Sequence, residues 1–128
     1  MLFRSERQLK IAQNAGAITN EARAYCSLGN AYQCLGDFKT AKQFFDRTLG
    51  MARQIGDRVL EGKVHGNLGN AHYSVGNVRE AIQCHELSLA ITKEVGDIAV
   101  EGKAYGNLGT VYHSLGDFRK AVEYHKRQ

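Results

Sequence analysis

Five histidines (His65, His72, His85, His113 and His125) and three cysteines (Cys26, Cys34 and Cys84) are the side chains best suited to hold a metal or attack a substrate. Either role needs fixed spacings, because a tetrahedral zinc or an activated thiol takes its partners from set directions. Those spacings are missing. No two histidines stand four apart around a glutamate, and no two cysteines stand at a metal-binding interval. Cys84 and His85 are adjacent, which on a helix sends them to different sides. No nucleophile elbow, kinase signature or dinucleotide-binding loop occurs. The chain is therefore predicted to be no enzyme, to have no metal site and to carry no cofactor. Cys26 and Cys34 lie eight residues apart on one expected helix, about 12 Å along its axis, too far to bridge. Unpaired cysteines in odd number point to reduced thiols and a cytoplasmic protein.

Another set of side chains recurs at helical spacing. Lys63, Asn67, Asn70 and Ser74 fall at i, i+4, i+7 and i+11, which is one stripe of a helix. The same stripe reads Arg23, Ser27, Asn30, Cys34 in one place and Lys103, Asn107, Thr110, Ser114 in another. Stacking these helices sets three cations in one row and the asparagines in two others. An asparagine amide both donates and accepts, so it can pair with a peptide backbone whatever the side chains are. Arginine and lysine add attraction for carboxylates. The competing reading is an ordinary solvated polar face; repetition of the stripe favours a binding surface.

The elements that carry these stripes come from an internal repeat. Written in rows of 40, the sequence aligns with itself without a gap: Glu21, Glu61 and Glu101; Leu28-Gly29, Leu68-Gly69 and Leu108-Gly109; Gly36, Gly76 and Gly116; Ala41, Ala81 and Ala121. Leu9, Leu49 and Leu89 align too, as do Gly16, Gly56 and Gly96. Residues 61–88 and 101–128 are identical at 12 of 28 positions, which marks stacked supersecondary units. Within a unit, Val64, Leu68, Ala71 and Val75 form an apolar helical stripe, and Ala81, Ile82, Leu89 and Ile91 form that of a second helix. Gly76 suits the left-handed position after a helix end, and Asn77 with Glu80 forms a capping box for the next helix. Gly96-Asp97 closes and recaps in the same way. Seven helices are expected, near 1–15, 18–35, 38–55, 58–75, 78–95, 98–115 and 118–127, antiparallel to their neighbours because the connections are short. Gly62, Gly66 and Gly69 interrupt an intact apolar stripe. Since glycine costs a helix about 1 kcal/mol relative to alanine, their use is close approach of a neighbouring helix.

Tyr25, Leu28-Gly29, Tyr32, Ala41 and Phe45 in one unit, and Tyr105, Leu108-Gly109, Tyr112, Ala121 and His125 in another, resemble the tetratricopeptide signature. The middle unit departs from it with His65 and His72. The closing proline of that signature is replaced by a longer second helix ending in Gly-Asp. With phrases such as EGKAYGNLGTVYHSLGDF and AITKEVGD, this 40-residue variant is similar to the LGN/Pins G-protein signalling modulator scaffolds and to related multi-repeat proteins. The resemblance covers the whole chain and implies an all-α, right-handed solenoid of helical hairpins whose first helices line a concave groove. It implies a peptide-binding groove of Arg23, Ser27, Asn30, Lys63, Asn67, Asn70, Lys103, Asn107 and Thr110. Asn30, Asn67 and Lys103 match the carboxylate clamp of chaperone-binding relatives. Cys26 and Asn107 stand where that clamp needs lysine and arginine, which points away from a chaperone's C-terminal tail.

The expected organisation is one array over 1–128: 1–20 the second half of a repeat, 21–60 and 61–100 whole repeats, 101–128 a shortened one. The expected partner is a protein or peptide, acidic in character, with no small-molecule substrate. The alternative function is a structural or self-assembling solenoid segment whose ligand sites lie in other repeats. No stretch reaches the roughly 20 apolar residues of a membrane span. The net charge of +4 invites a nucleic-acid reading, but the bases are spread along the chain and interleaved with acids, which weighs against one. Leu2, Phe3, Leu9 and Ile11 in the first helix, and Phe118, Val122 and Tyr124 in the last, leave apolar faces without caps. Self-association through these ends is expected.

Overall fold

A computed structural model describes residues 2–128, with the side chains of all of these except 2–6, 8, 9, 11, 12 and 15. The described residues form six α-helices and no strand: α1 Leu2–Cys34, α2 Phe38–Ile55, α3 Arg58–Ser74, α4 Val78–Val95, α5 Ile98–Ser114 and α6 Phe118–Arg127. They pair as the hairpins α1/α2, α3/α4 and α5/α6. The hairpins stack α2 on α3 and α4 on α5, and α1, α3 and α5 touch along one side.

The turns follow one recipe. Gly36, Gly56, Gly76, Gly96 and Gly116 all take φ between +71° and +85°, a conformation open to glycine at no steric cost. After four of them an aspartate caps the next helix: Asp37, Asp57, Asp97 and Asp117 accept from the backbone N–H of Thr40, Leu60, Val100 and Lys120 at 3.0–3.2 Å. The fifth turn differs from expectation. Asn77 makes no side-chain cap; its amide nitrogen lies 3.3 Å from His72 Nδ1, held toward the preceding helix.

The boundary expected near residues 16–17 is absent, and the first two expected helices are one helix of 33 residues. Gly16 keeps a negative φ. The position after it is Ala17, where Asp57 and Asp97 follow Gly56 and Gly96. Without a side chain to receive the exposed N–H groups of a new helix, stopping gains nothing over continuing. Leu2, Phe3, Leu9 and Ile11, expected to form an open apolar face, lie outside the described side chains.

The core runs between hairpins. Ala22, Ala41, Phe45, Leu49, Ala52, Leu60, Val64, Leu68 and Ala71 form a buried cluster across α1, α2 and α3. Val75, the last residue of the expected stripe, is instead 45% exposed at the helix end. Helices within a hairpin meet where glycine removes a side chain. A β-carbon on Gly29 would stand 2.7 Å from the Phe45 ring, one on Gly69 2.6 Å from that of His85, and one on Gly109 2.7 Å from that of His125. In the first two hairpins a hydroxyl also ties the pair: Thr48 donates to the Ala22 carbonyl at 3.3 Å, and Ser88 to that of Gly62 at 2.8 Å.

Candidate functional site

The polar stripe emerges as the lining of three linked depressions along α1, α3 and α5. The first, about 390 Å³, is bordered by Arg23, Ser27 and Lys63 together with Asp57. The second, about 440 Å³, takes in Asn30, Lys63, Asn67, Asn70, Lys103 and Asn107 over a floor of Cys26, Gly62 and Gly66. The third, about 350 Å³, continues through Asn70, Lys103, Asn107 and Thr110 to His125 and Gln128. Lys63 joins the first to the second, and Lys103 joins the second to the third. All nine residues of the expected groove therefore border one continuous run.

The helix phase explains this placement. One face of α3 is spent on Val64, Leu68 and Ala71, all buried. Lys63, Asn67, Asn70 and Ser74 each precede one of the apolar stripe residues, which turns them about 100° away. Close approach at Gly62 and Gly66 then lets the floor of the run reach Ser88 on α4.

Among the described residues Arg23, Lys63 and Lys103 make no ion pair, hydrogen bond or ring contact, and outside the groove the same holds of Lys39, Arg79, Arg119 and Lys126. Arg58, by contrast, pairs with Glu61 at 3.0 Å and with Glu94, and Arg53 pairs with Glu61 at 3.3 Å, which links α2, α3 and α4. Arg47, Lys93, Lys120 and Arg127 sit over tyrosine rings at 5.0–6.0 Å. The one carboxylate bordering the run is Asp57, and its Oδ1 already accepts from Leu60 N–H.

Two stripe residues are less free than their types suggest. Asn67 donates to Cys26 Sγ at 3.5 Å, across from α3 to α1, and Thr110 donates to the Gly106 carbonyl at 3.0 Å. Burial pushes the Cys26 thiol above its ordinary value, with Asn67 and then Lys63 opposing. It is protonated at neutral pH and a poor nucleophile. Cys26 and Asp57 are among the lining residues that the stripe did not single out, as are Ser88, His125 and Gln128. Among the described residues no three of His, Cys, Asp and Glu gather as a metal site, and no helix is long and apolar enough to cross a membrane.

Stacked antiparallel hairpins with a polar run along their first helices define a helical-repeat protein. Residues 60–127 match one tetratricopeptide repeat model and residues 22–55 another. The chain belongs to the tetratricopeptide repeat family, whose repeats mediate protein–protein interaction and are in general non-catalytic. The tetratricopeptide domain of Arabidopsis FLU superposes with a TM-score of 0.79 at 28% identity, over 85% of this chain and 92% of that one. BtubC from P. vanneervenii gives a TM-score of 0.79 at 28% identity, over 95% of this chain and 51% of its own. The N-terminal domain of stress-induced protein-1 from C. elegans has the same fold, with a TM-score of 0.73 at 22% identity over 87% of this chain and 84% of that one. Among curated protein sequences none matches the chain.

Proposed function

We propose that this chain is a protein-interaction segment that holds an acidic peptide or protein segment along α1, α3 and α5. Arg23, Lys63 and Lys103 take its carboxylates, and Asn30, Asn70 and Asn107 pair with its backbone. Ser27 and Thr110 border the two ends of the run. The single observation that supports this reading is that Arg23, Lys63 and Lys103 border one continuous concave run without a partner among the described residues, while the one carboxylate bordering it, Asp57, is held by the Leu60 N–H. A cation left without a partner in a concavity is one whose charge a ligand can use.

The test is a double charge reversal, Lys63→Glu with Lys103→Glu, titrated with an unstructured peptide rich in Asp and Glu. Affinity is expected to fall at least about tenfold and, in the wild type, to weaken as salt is added. Both lysines are exposed, so folding stability is expected to stay within about 0.5 kcal/mol. Unchanged affinity in the reversed variant would end the acidic-ligand reading.

A further inference from the structure

The three first helices share one register but are not equally covered. In α3, Val64, His65, Leu68 and Ala71 are buried, and so in α5 are Ala104, Tyr105, Leu108 and Val111. The same positions of α1 are Ala24, Tyr25, Leu28 and Ala31. Of these Ala24, Leu28 and Ala31 are exposed, Leu28 by 42%, and Tyr25 is half-buried. The difference lies in the preceding segment. α3 is covered by α2 and α5 by α4, each folded back through a Gly-Asp turn. The segment ahead of this face of α1 is residues 2–16, aligned with 42–56 and 82–96, and it runs straight into α1.

One chain cannot lay residues 2–16 against its own α1 while both belong to a single helix. A second copy can. Two α1 helices side by side and antiparallel, related by a dyad near residue 17, place residues 2–16 of each on the open face of the other. The direction is the one α2 takes on α3. At 33 residues α1 is about 50 Å long, enough for both halves to be paired. We propose that the Ala24, Tyr25, Leu28 and Ala31 face of α1 is an interaction surface for a second copy of this chain, which docks residues 2–16 of its own α1 there in a two-fold exchange. The repeat itself selects this occupant. The helix that fits the face is one in register with α2 and α4, with leucine where Leu49 and Leu89 stand and glycine where Gly56 and Gly96 stand; in this chain those are Leu9 and Gly16.

Light scattering of the 128-residue chain across a concentration series is expected to give twice the 14.2 kDa of one chain. Leu28→Glu puts a charge on a face that one chain leaves exposed, and is expected to return the mass to one chain with helicity by circular dichroism unchanged. Ala17→Asp restores the missing cap, and is expected to give a monomer in which residues 2–16 fold back and slow amide exchange on α1. Should Leu28→Glu fail to fold, Ala17→Asp decides alone. A wild type that stays monomeric at every concentration overturns the proposal. So does a dimer that survives both substitutions, since its interface must then lie elsewhere, for instance at α6.

Discussion

The imidazole of His85 lies against Gly69 so closely that a β-carbon there would be 2.6 Å from its Cε1, and neither ring nitrogen finds a hydrogen-bond partner. His85 occupies the register position of Phe45, which lies on Gly29 in the same way. A ring chosen for shape here carries two nitrogens with nothing to bond.

That contact makes stability depend on pH with a definite sign. Burial lowers the folded-state pKa of His85 from 6.5 to about 4. Above 6.5 the ring is neutral folded or unfolded, so no difference arises. As pH falls from 6.5 toward 4 the unfolded chain takes up the proton and the folded one does not, so stability is lost, by about 3 kcal/mol at the lower end. His65 is shifted the same way, by burial and then by Arg53, and adds to the effect. His85→Phe is expected to flatten the curve in that window and to raise stability at pH 5 more than at pH 8. Urea midpoints over the range measure both, and an unchanged slope in the variant would place the titrating group elsewhere.

Glycines that look alike within helices are expected to answer oppositely to alanine. Gly69→Ala drives a β-carbon into the His85 ring and should cost about 1–3 kcal/mol. Gly102 also sits in a helix, but a β-carbon there meets nothing within 4 Å. Gly102→Ala should therefore stabilise, by up to about 1 kcal/mol. Thermal midpoints of the two variants moving in the same direction would contradict the packing described.

The Leu-Gly pairs separate in the same manner. Leu68 is 5% exposed and Leu28 42% exposed. Leu68→Ala should cost about 2–5 kcal/mol, whereas Leu28→Ala should cost a good deal less in the monomer. Equilibrium denaturation at low protein concentration keeps any pairing of chains from entering the comparison.

Most of the architecture could be read from the 40-residue register, because one recipe is used at each turn and Gly36, Gly56, Gly76, Gly96 and Gly116 all lie in it. The polar stripe was legible for the same reason: Lys63 and Asn67 stand next to Val64 and Leu68, whose burial sets the phase. What was not legible depends on single side chains. Gly16 aligns with Gly56 and Gly96, yet Ala17 has no side chain to cap a new helix as Asp57 and Asp97 do, and α1 runs on through both. Asn77 has the right type for a cap but its amide lies beside His72. Asn67 counts as a free amide in a stripe, while in space it donates to Cys26 on the neighbouring unit, 41 residues away in sequence.

The histidines of the middle hairpin have a consequence for how the array comes apart. His65, His72 and His85 replace Tyr25, Tyr32 and Phe45 of the hairpin before, and all three are held below the ordinary imidazole value, chiefly by burial. A stack whose units touch only their neighbours is as strong as its weakest joint, and usually it unravels from the ends. Protons work against that order here: acid is expected to weaken the central hairpin more than its neighbours, so that opening within the stack, with two freshly bared flanks, competes with peeling from its ends.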